Sequence, residues 1–297
     1  MQYHVPVMPE EVVSALGQKP GARIIDCTVG DGGHAAALLA HLKGQATLLG
    51  IDLDSNALRT AEKRLAPWRH AVTLVQGNFH DVRTIAATAG WQTATRILLD
   101  LGLRSAELEE SGFGFSFLRD EPLIMRYDGR TDEETAASLL ASRSVSELTK
   151  ILRAYGEEPY ALPIAKAVVR ERKRMRILRT SHLVEIIRRA VPARARHAKR
   201  HVATRTFQAL RMAVNDECES IRLALPAAAG LLGTNGRLAV ISFHSIEDRL
   251  IKSTFRAWER NGRFRAVMKK PMTPSLQECA NNPRSRSAKL RAVEAVV

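Results

Sequence analysis

Residues 22–34 read ARIIDCTVGDGGH and residues 46–54 read ATLLGIDLD. The run ARIIDCT is apolar enough for a buried strand, VGDGGH is a glycine-rich turn, and AAALLAHL after it is helical. ATLLGIDLD is a second strand ending in Asp52, and SNALRTAEKRL (55–65) is a helix with Ser55 placed as its cap. The rhythm continues with AVTLVQGNF (71–79) as a strand, an amphipathic helix near 81–89, and TRILLDLG (95–102) as the fourth strand. Strands alternating with helices at this spacing predict an α/β chain with a parallel, doubly wound, Rossmann-like sheet.

After Gly102 the alternation stops, and the next convincing buried strand is GRLAVISF at 236–243. A crossover needs only a dozen or more residues, so an inserted domain is expected between them. SVSELTKILRAYG, EEPYALPIAKAVVRERKRM and TSHLVEIIRRAV each place apolar residues three or four apart, which makes the insertion helical. From Phe207 to about Leu232 one long amphipathic helix is expected to lead back into the sheet. FRAVMKK (264–270) and AKLRAVEAVV (288–297) supply a closing pair of strands. The expected division is residues 1–104 with 212–297 for the sheet domain, and 105–211 for the insertion.

The 297 residues carry a net charge of +14, and the charge is unevenly spread. Residues 1–165 hold 16 Lys and Arg against 21 Asp and Glu, whereas 166–211 hold 15 against 2 and 249–297 hold 12 against 3. Clustered cations of this density repel one another unless a polyanion neutralises them, which points to nucleic acid. MQYHVPVMPEE has no basic stretch followed by an apolar run, and no apolar stretch approaches the ~18 residues of a membrane span. Cys27, Cys218 and Cys279 match neither a disulfide framework nor paired zinc-ligand spacing, so a cytoplasmic protein with no membrane partner is expected. The oligomeric state stays open, a homodimer included.

A glycine turn after the first strand brings backbone close to a ligand at a helix N-terminus, and an acid at the tip of the second strand accepts both ribose hydroxyls. Gly30, Gly32, Gly33 and Asp52 fill those places. The spacing GDGGH is not the dinucleotide fingerprint GxGxxG, and no Walker lysine motif occurs, which leans away from a dehydrogenase and towards a donor without pyrophosphate. S-adenosylmethionine is such a donor. Phe79 after the third strand is placed to lie against adenine, and Asp100 ends the fourth strand where the reactive sulfonium would sit.

DCTVGDGGH, GIDLD, GNF, LLDLG, GFSF, HVATRTFQALRMAVNDE, GRLAVISFHSIEDR and NPRSRSAKLR together resemble the bacterial 16S ribosomal RNA cytosine-amine methyltransferases, from His4 to the last residues. The resemblance implies a class I S-adenosylmethionine-dependent methyltransferase sheet with an inserted helical substrate domain, acting on a cytidine amine in the decoding region of small-subunit RNA. Carried over by position, it implies donor contacts at Gly32, Gly33, His34, Asp52, Phe79 and Asp100. The family's usual LGVSSPQLD is LGLRSAELE here, which puts Arg104 at a serine and Glu107 at a donor-contacting glutamine. RGFSF and DGPLDMRMD become FGFSF and DEPLIMRYD, with Phe113, Glu121, Ile124 and Tyr127 as replacements. The cofactor turn is kept and the substrate-side loop is changed, which bears on the target nucleotide rather than on the reaction type.

A cytosine amine is a poor nucleophile because its lone pair is delocalised into the ring. Accepting its N–H bonds holds it in line for displacement, and Asp100 with nearby carbonyls is the expected acceptor, Asp128 a weaker one. Phe113, Phe115, Phe117 and Tyr127 either stack on an extruded base or, for the phenylalanines, pack the insertion onto the sheet, and His244 either lines the base pocket or is a capping or core histidine. Arg170, Arg172, Lys173, Arg174, Arg196, Lys199 and Arg200 are the expected phosphate contacts to small-subunit RNA or the assembled subunit. His197 and His201 have no evident third ligand, so no metal is expected. The competing readings are a methyltransferase of this fold with another RNA or DNA target, a non-catalytic RNA-binding assembly factor, and, more distantly, a nicotinamide dehydrogenase.

Overall fold

The computed structural model describes residues 5–17, 20–102, 112–196 and 201–296. Arg104, Glu107, His197, Lys199 and Arg200 lie outside the described residues. The chain divides into two compact units, Met1–Gly102 with Cys218–Val297, and Leu103–Glu217.

The first unit opens with α1 (Pro9–Leu16), β1 (Ala22–Asp26), α2 (Gly33–His41), β2 (Ala46–Asp52), α3 (Ser55–Arg64), β3 (Val72–Gln76), α4 (Val82–Thr88) and β4 (Ala94–Asp100). The second unit holds α5 (Ala136–Ser142), α6 (Val145–Gly156), α7 (Ala161–Glu171), α8 (Thr180–Ala190), α9 (Ala193–Arg196) and α10 (Thr204–Val214). The chain ends with α11 (Glu217–Ala229), β5 (Leu232–Ser242), α12 (Ser245–Arg260), β6 (Phe264–Ala266), α13 (Leu276–Asn281) and β7 (Lys289–Ala295).

The strands form one sheet in the order β3-β2-β1-β4-β5-β7-β6. The first five are parallel, and β7 runs antiparallel to both β5 and β6. Neighbouring strand residues point to opposite faces, so Ile25, Leu49, Ile97 and Leu99 join one core with α4, α11 and α12, while Ile24, Leu48 and Leu98 join another with α1, α2 and α3. A parallel sheet covered on both faces explains why these strands read as unbroken apolar runs. Because β2 and β4 lie on opposite sides of β1, the strand order reverses between β1 and β4, and ligands in open α/β sheets bind outside the carboxyl ends at such a point.

Two local expectations are corrected. The cap of α3 is Asp54, whose side chain accepts the Asn56 N–H, and Ser55 is the first helical residue. The long helix from Phe207 is two helices, α10 in the second unit and α11 leading to the sheet. It breaks at Asp216, whose φ of 47° is left-handed, while the Asn215 side-chain amide donates to the Arg211 carbonyl at 2.8 Å. Asn and Asp tolerate that conformation, so the apolar periodicity runs across a break it does not reveal.

In the second unit, Ser144 and Glu147 form a reciprocal capping box at the start of α6. Leu139, Leu148, Leu152, Ile164, Val168, Leu183, Ile187, Phe207 and Leu210 make a core separate from those of the sheet. Among the described residues no helix is long and apolar enough to cross a membrane.

Candidate active site

Three strands end in an aspartate, and these ends build the site. Asp26 closes β1, Asp52 closes β2 and Asp100 closes β4. The turn between β1 and α2 passes among them because Gly30 (φ 51°) and Gly32 (φ 78°) adopt left-handed conformations that L side chains disfavour. Asp52 holds this turn: its Oδ2 accepts the Gly30 N–H at 2.8 Å, and its Oδ1 accepts the Asp54 N–H at 2.9 Å. α2 then starts at Gly33, where a Cβ would come within 3.1 Å of the Pro6 ring.

His34 and Asp100 face each other across the turn, with His34 Nδ1 3.7 Å from Asp100 Oδ2. His34 Nε2 lies 2.8 Å from the Val7 carbonyl, which can only accept, so Nε2 carries the proton. Burial lowers the His34 pKa, with Asp26 and the Val7 carbonyl opposing the shift, and the ring is neutral with Nδ1 as its acceptor. The Asp100 backbone N–H donates to Thr28 Oγ1 at 2.7 Å, which fixes the strand end against the turn.

Burial dominates both remaining carboxyls. Asp26 is 1% exposed and its pKa is pushed up to about 7, chiefly by desolvation, with His34 and the Thr28 N–H pulling the other way. Asp100 is likewise raised to about 7 by burial, partly offset by the Gly102 N–H and reinforced by Glu247. Asp26 Oδ2 and Asp100 Oδ1 are buried with no hydrogen-bond partner among the described residues. Buried acceptors without partners are uncommon, and an incoming donor group would satisfy them.

Phe79 lies in the short turn after β3, half-buried against the core that contains Val82, Ala86 and Trp91. His244 is the cap of α12: its Nδ1 lies 3.3 Å from the Glu247 N–H, and the Glu247 carboxylate accepts the Phe243 and His244 N–H groups. Of the two roles open to His244, this is the capping one.

Asp128 belongs to the second unit, where Arg126 grips both of its oxygens at 2.6 and 2.8 Å and holds its pKa below the usual carboxylate range. Its carboxylate is engaged in a turn. Phe115 is buried and stacks on Tyr127 with centroids 5.6 Å apart, while Phe117 stacks on His201 at 4.4 Å and meets Phe207 edge-on. The Tyr127 hydroxyl donates to Glu217 at 2.6 Å. These rings pack their own unit, as does half-buried Phe113.

The basic positions divide. Lys173 and Arg174 are exposed just beyond α7, Arg170 pairs with Glu171 at 3.1 Å, and exposed Arg196 reaches the Val191 carbonyl at 3.3 Å. Arg172 is half-buried, and its Nη1 donates to the Leu140 and Arg143 carbonyls at 2.9 and 2.6 Å, so it ties α7 to the end of α5. Asp26 and Thr28 are site residues that no motif singled out. The recurring aspartate at the ends of β1, β2 and β4 is the signal that would have found Asp26.

A model of the MraW methylase family matches residues 1–296. Ribosomal RNA small subunit methyltransferase H of Symbiobacterium thermophilum is 44% identical over 306 residues, covering 98% of this chain and 96% of that one. The proteins of the same name from Heliobacterium modesticaldum and Persephonella marina are 42% and 41% identical, covering 99% and 100% of this chain and the same shares of theirs.

Proposed function

The chain belongs to the MraW methylase family, and from that premise we propose that it methylates the exocyclic amine of a cytidine in small-subunit ribosomal RNA, free or in the assembled subunit. At the coarser level it is an S-adenosylmethionine-dependent ribosomal RNA methyltransferase. The observation that supports the finer reading is the buried, unpartnered Asp100 Oδ1 at the strand-order reversal, beside the glycine turn.

The residues present fit the donor. The N–H groups in the first turn of α2 lack partners within the helix and suit a carboxylate, Asp52 suits ribose hydroxyls, and Phe79 offers a flat apolar face for adenine. His34 and Asp100 close the donor site on the β4 side. Bound S-adenosylmethionine supplies an electrophilic methyl group on a sulfonium.

Asp100 then has two tasks. As a carboxylate it accepts an amine N–H and holds the nitrogen in line; as the N–C bond forms and the S–C bond breaks, it takes the proton the amine loses. A pKa near 7 suits both tasks at neutral pH. His34 cannot compete as the proton's first acceptor, because Nε2–H is committed to Val7 and burial disfavours the imidazolium. Lys173 and Arg174 fit phosphate contacts, which position RNA without choosing its sequence. Arg104 and Glu107, the changed positions after β4, bear on which nucleotide is taken.

The test is nucleoside mass spectrometry on small ribosomal subunits that lack cytosine-amine methylation, incubated with the protein and labelled S-adenosylmethionine. Labelled amine-methylated cytidine is expected. Label on another nucleoside would overturn the cytidine assignment, and no label on any nucleoside would overturn the catalytic reading.

A further inference from the structure

The basic segment near the end of the chain is left unexplained by the donor site and by the cations around α7. Between residues 249 and 270 it has eight Lys and Arg against a single Glu, and its core is α12 (Ser245–Arg260). This helix buries Ile246, Glu247, Asp248, Ile251 and Phe255 in the sheet unit. At 100° per residue, Lys252, Arg256 and Arg260 fall within about 80° of one another, on the side roughly opposite Glu247, Ile251 and Phe255. Arg256 and Arg260 are exposed and Lys252 half-exposed, and exposed Arg263 follows in the turn after the helix.

Along β5, β6 and β7, four cations are matched by acids. Arg237 and Arg265 share Glu294, and Lys289 and Arg291 share Asp248. On the outer face of α12 the pattern reverses: Lys252, Arg256 and Arg260 have no ion pair among the described residues. Glu259, the acid beside them, turns its Oε1 to the Ala266 N–H at 3.1 Å. Like charges four residues apart oppose the helix that carries them, so the stripe has an unfavourable self-energy that the fold does not relieve. The three cations span ~12 Å of helix rise, a length over which one strand of a duplex carries about three or four phosphate charges.

We propose that the outer face of α12 is a phosphate-binding surface for the ribosomal RNA substrate, so that the sheet unit itself grips the RNA backbone through Lys252, Arg256 and Arg260. The proposal rests on the ribosomal RNA reading above. It places these residues as RNA-positioning groups outside the chemistry, and donor affinity is independent of them.

The test compares the full-length protein with the combined variant Lys252→Gln, Arg256→Gln, Arg260→Gln in binding to small-subunit ribosomal RNA across a series of potassium chloride concentrations. Three lost phosphate contacts should reduce the slope of log affinity against log salt by about 2, and weaken binding at least tenfold at low salt. S-adenosylmethionine binding and thermal midpoint should be unchanged, which separates the effect from unfolding. The charge-conserving variant Lys252→Arg, Arg256→Lys, Arg260→Lys should keep the wild-type slope. An unaltered slope in the glutamine variant would overturn the proposal, as would unaltered RNA binding with lost binding to anionic phospholipid vesicles. If the wild-type protein itself bound no ribosomal RNA, the reading beneath the proposal would fall instead.

Discussion

Replacing Asp26 with Asn isolates the cost of burying a carboxyl at the end of β1. In the native state the Asp26 pKa is about 7 against an ordinary 3.8, and burial is the main cause. The unfolded chain therefore releases this proton near pH 4, while the folded chain keeps it until about pH 7. Native protein binds more protons across that window, so this group makes stability fall as pH rises through it. Roughly three pH units at 1.36 kcal/mol each give about 4 kcal/mol as the full change. The amide of the variant would keep an oxygen to accept the Thr28 N–H, now 3.2 Å from Asp26 Oδ1, and has no proton to lose. The stability of Asp26→Asn relative to wild type should thus climb by up to about 4 kcal/mol between pH 4 and pH 7.5, a shift of ~1 M or more in the urea midpoint. Trp68, Trp91 and Trp258 all lie in the sheet unit, so tryptophan fluorescence during urea unfolding reads that unit alone. Wild-type and variant midpoints that stay parallel across this pH range would refute the argument.

Asp100→Asn should keep the fold and lower turnover at least tenfold, and wild-type turnover should rise with pH through about 7 as Asp100 ionises, a step absent in the variant; single-turnover methylation against pH checks both. Gly32→Ala forces a side chain into a left-handed φ of 78° with a Cβ 3.2 Å from Leu65, and should cost about 1 to 2 kcal/mol, read as a drop of a few degrees in Tm. Glu217 pairs with Arg211 at 2.7 and 2.9 Å and accepts the Tyr127 hydroxyl, so Glu217→Ala removes a two-point ion pair and a hydrogen-bond acceptor from a largely buried site. It should destabilise the second unit by about 3 kcal/mol, seen as faster amide exchange across α10, and unchanged exchange there would refute the pairing's importance.

The parallel strands were legible because they are buried on both faces, so that ARIID, ATLLGID and ATRILLD carry a signal that needs no partner to interpret. Asp52 and Asp100 were legible for a related reason: a polar residue closing an apolar run marks the carboxyl edge of the sheet. Asp26 closes a run in the same way, but its raised pKa comes from burial in the folded sheet unit, which is not visible along the chain. The break at Asp216 lay inside continuous apolar periodicity, and Asp54 and Ser55 are adjacent residues that are both competent caps. Arg172 reads as one cation among many in RERKRM, and only folding brings it to the carbonyls of Leu140 and Arg143. Phe115 and Tyr127 could be read toward RNA or toward the core, and their mutual stacking turns them inward.

On the proposed reading, S-adenosylmethionine sits at the carboxyl ends of β1, β2 and β4, and Asp52 locks the glycine turn to the donor's ribose. Calorimetric titration of the donor into wild-type protein and Asp52→Asn tests it most directly. Binding to the wild type and at least a tenfold loss in the variant are expected, since an asparagine side chain has one acceptor oxygen where Asp52 uses two to hold Gly30 and Asp54. Equal affinities, or no binding to the wild type, would contradict that reading.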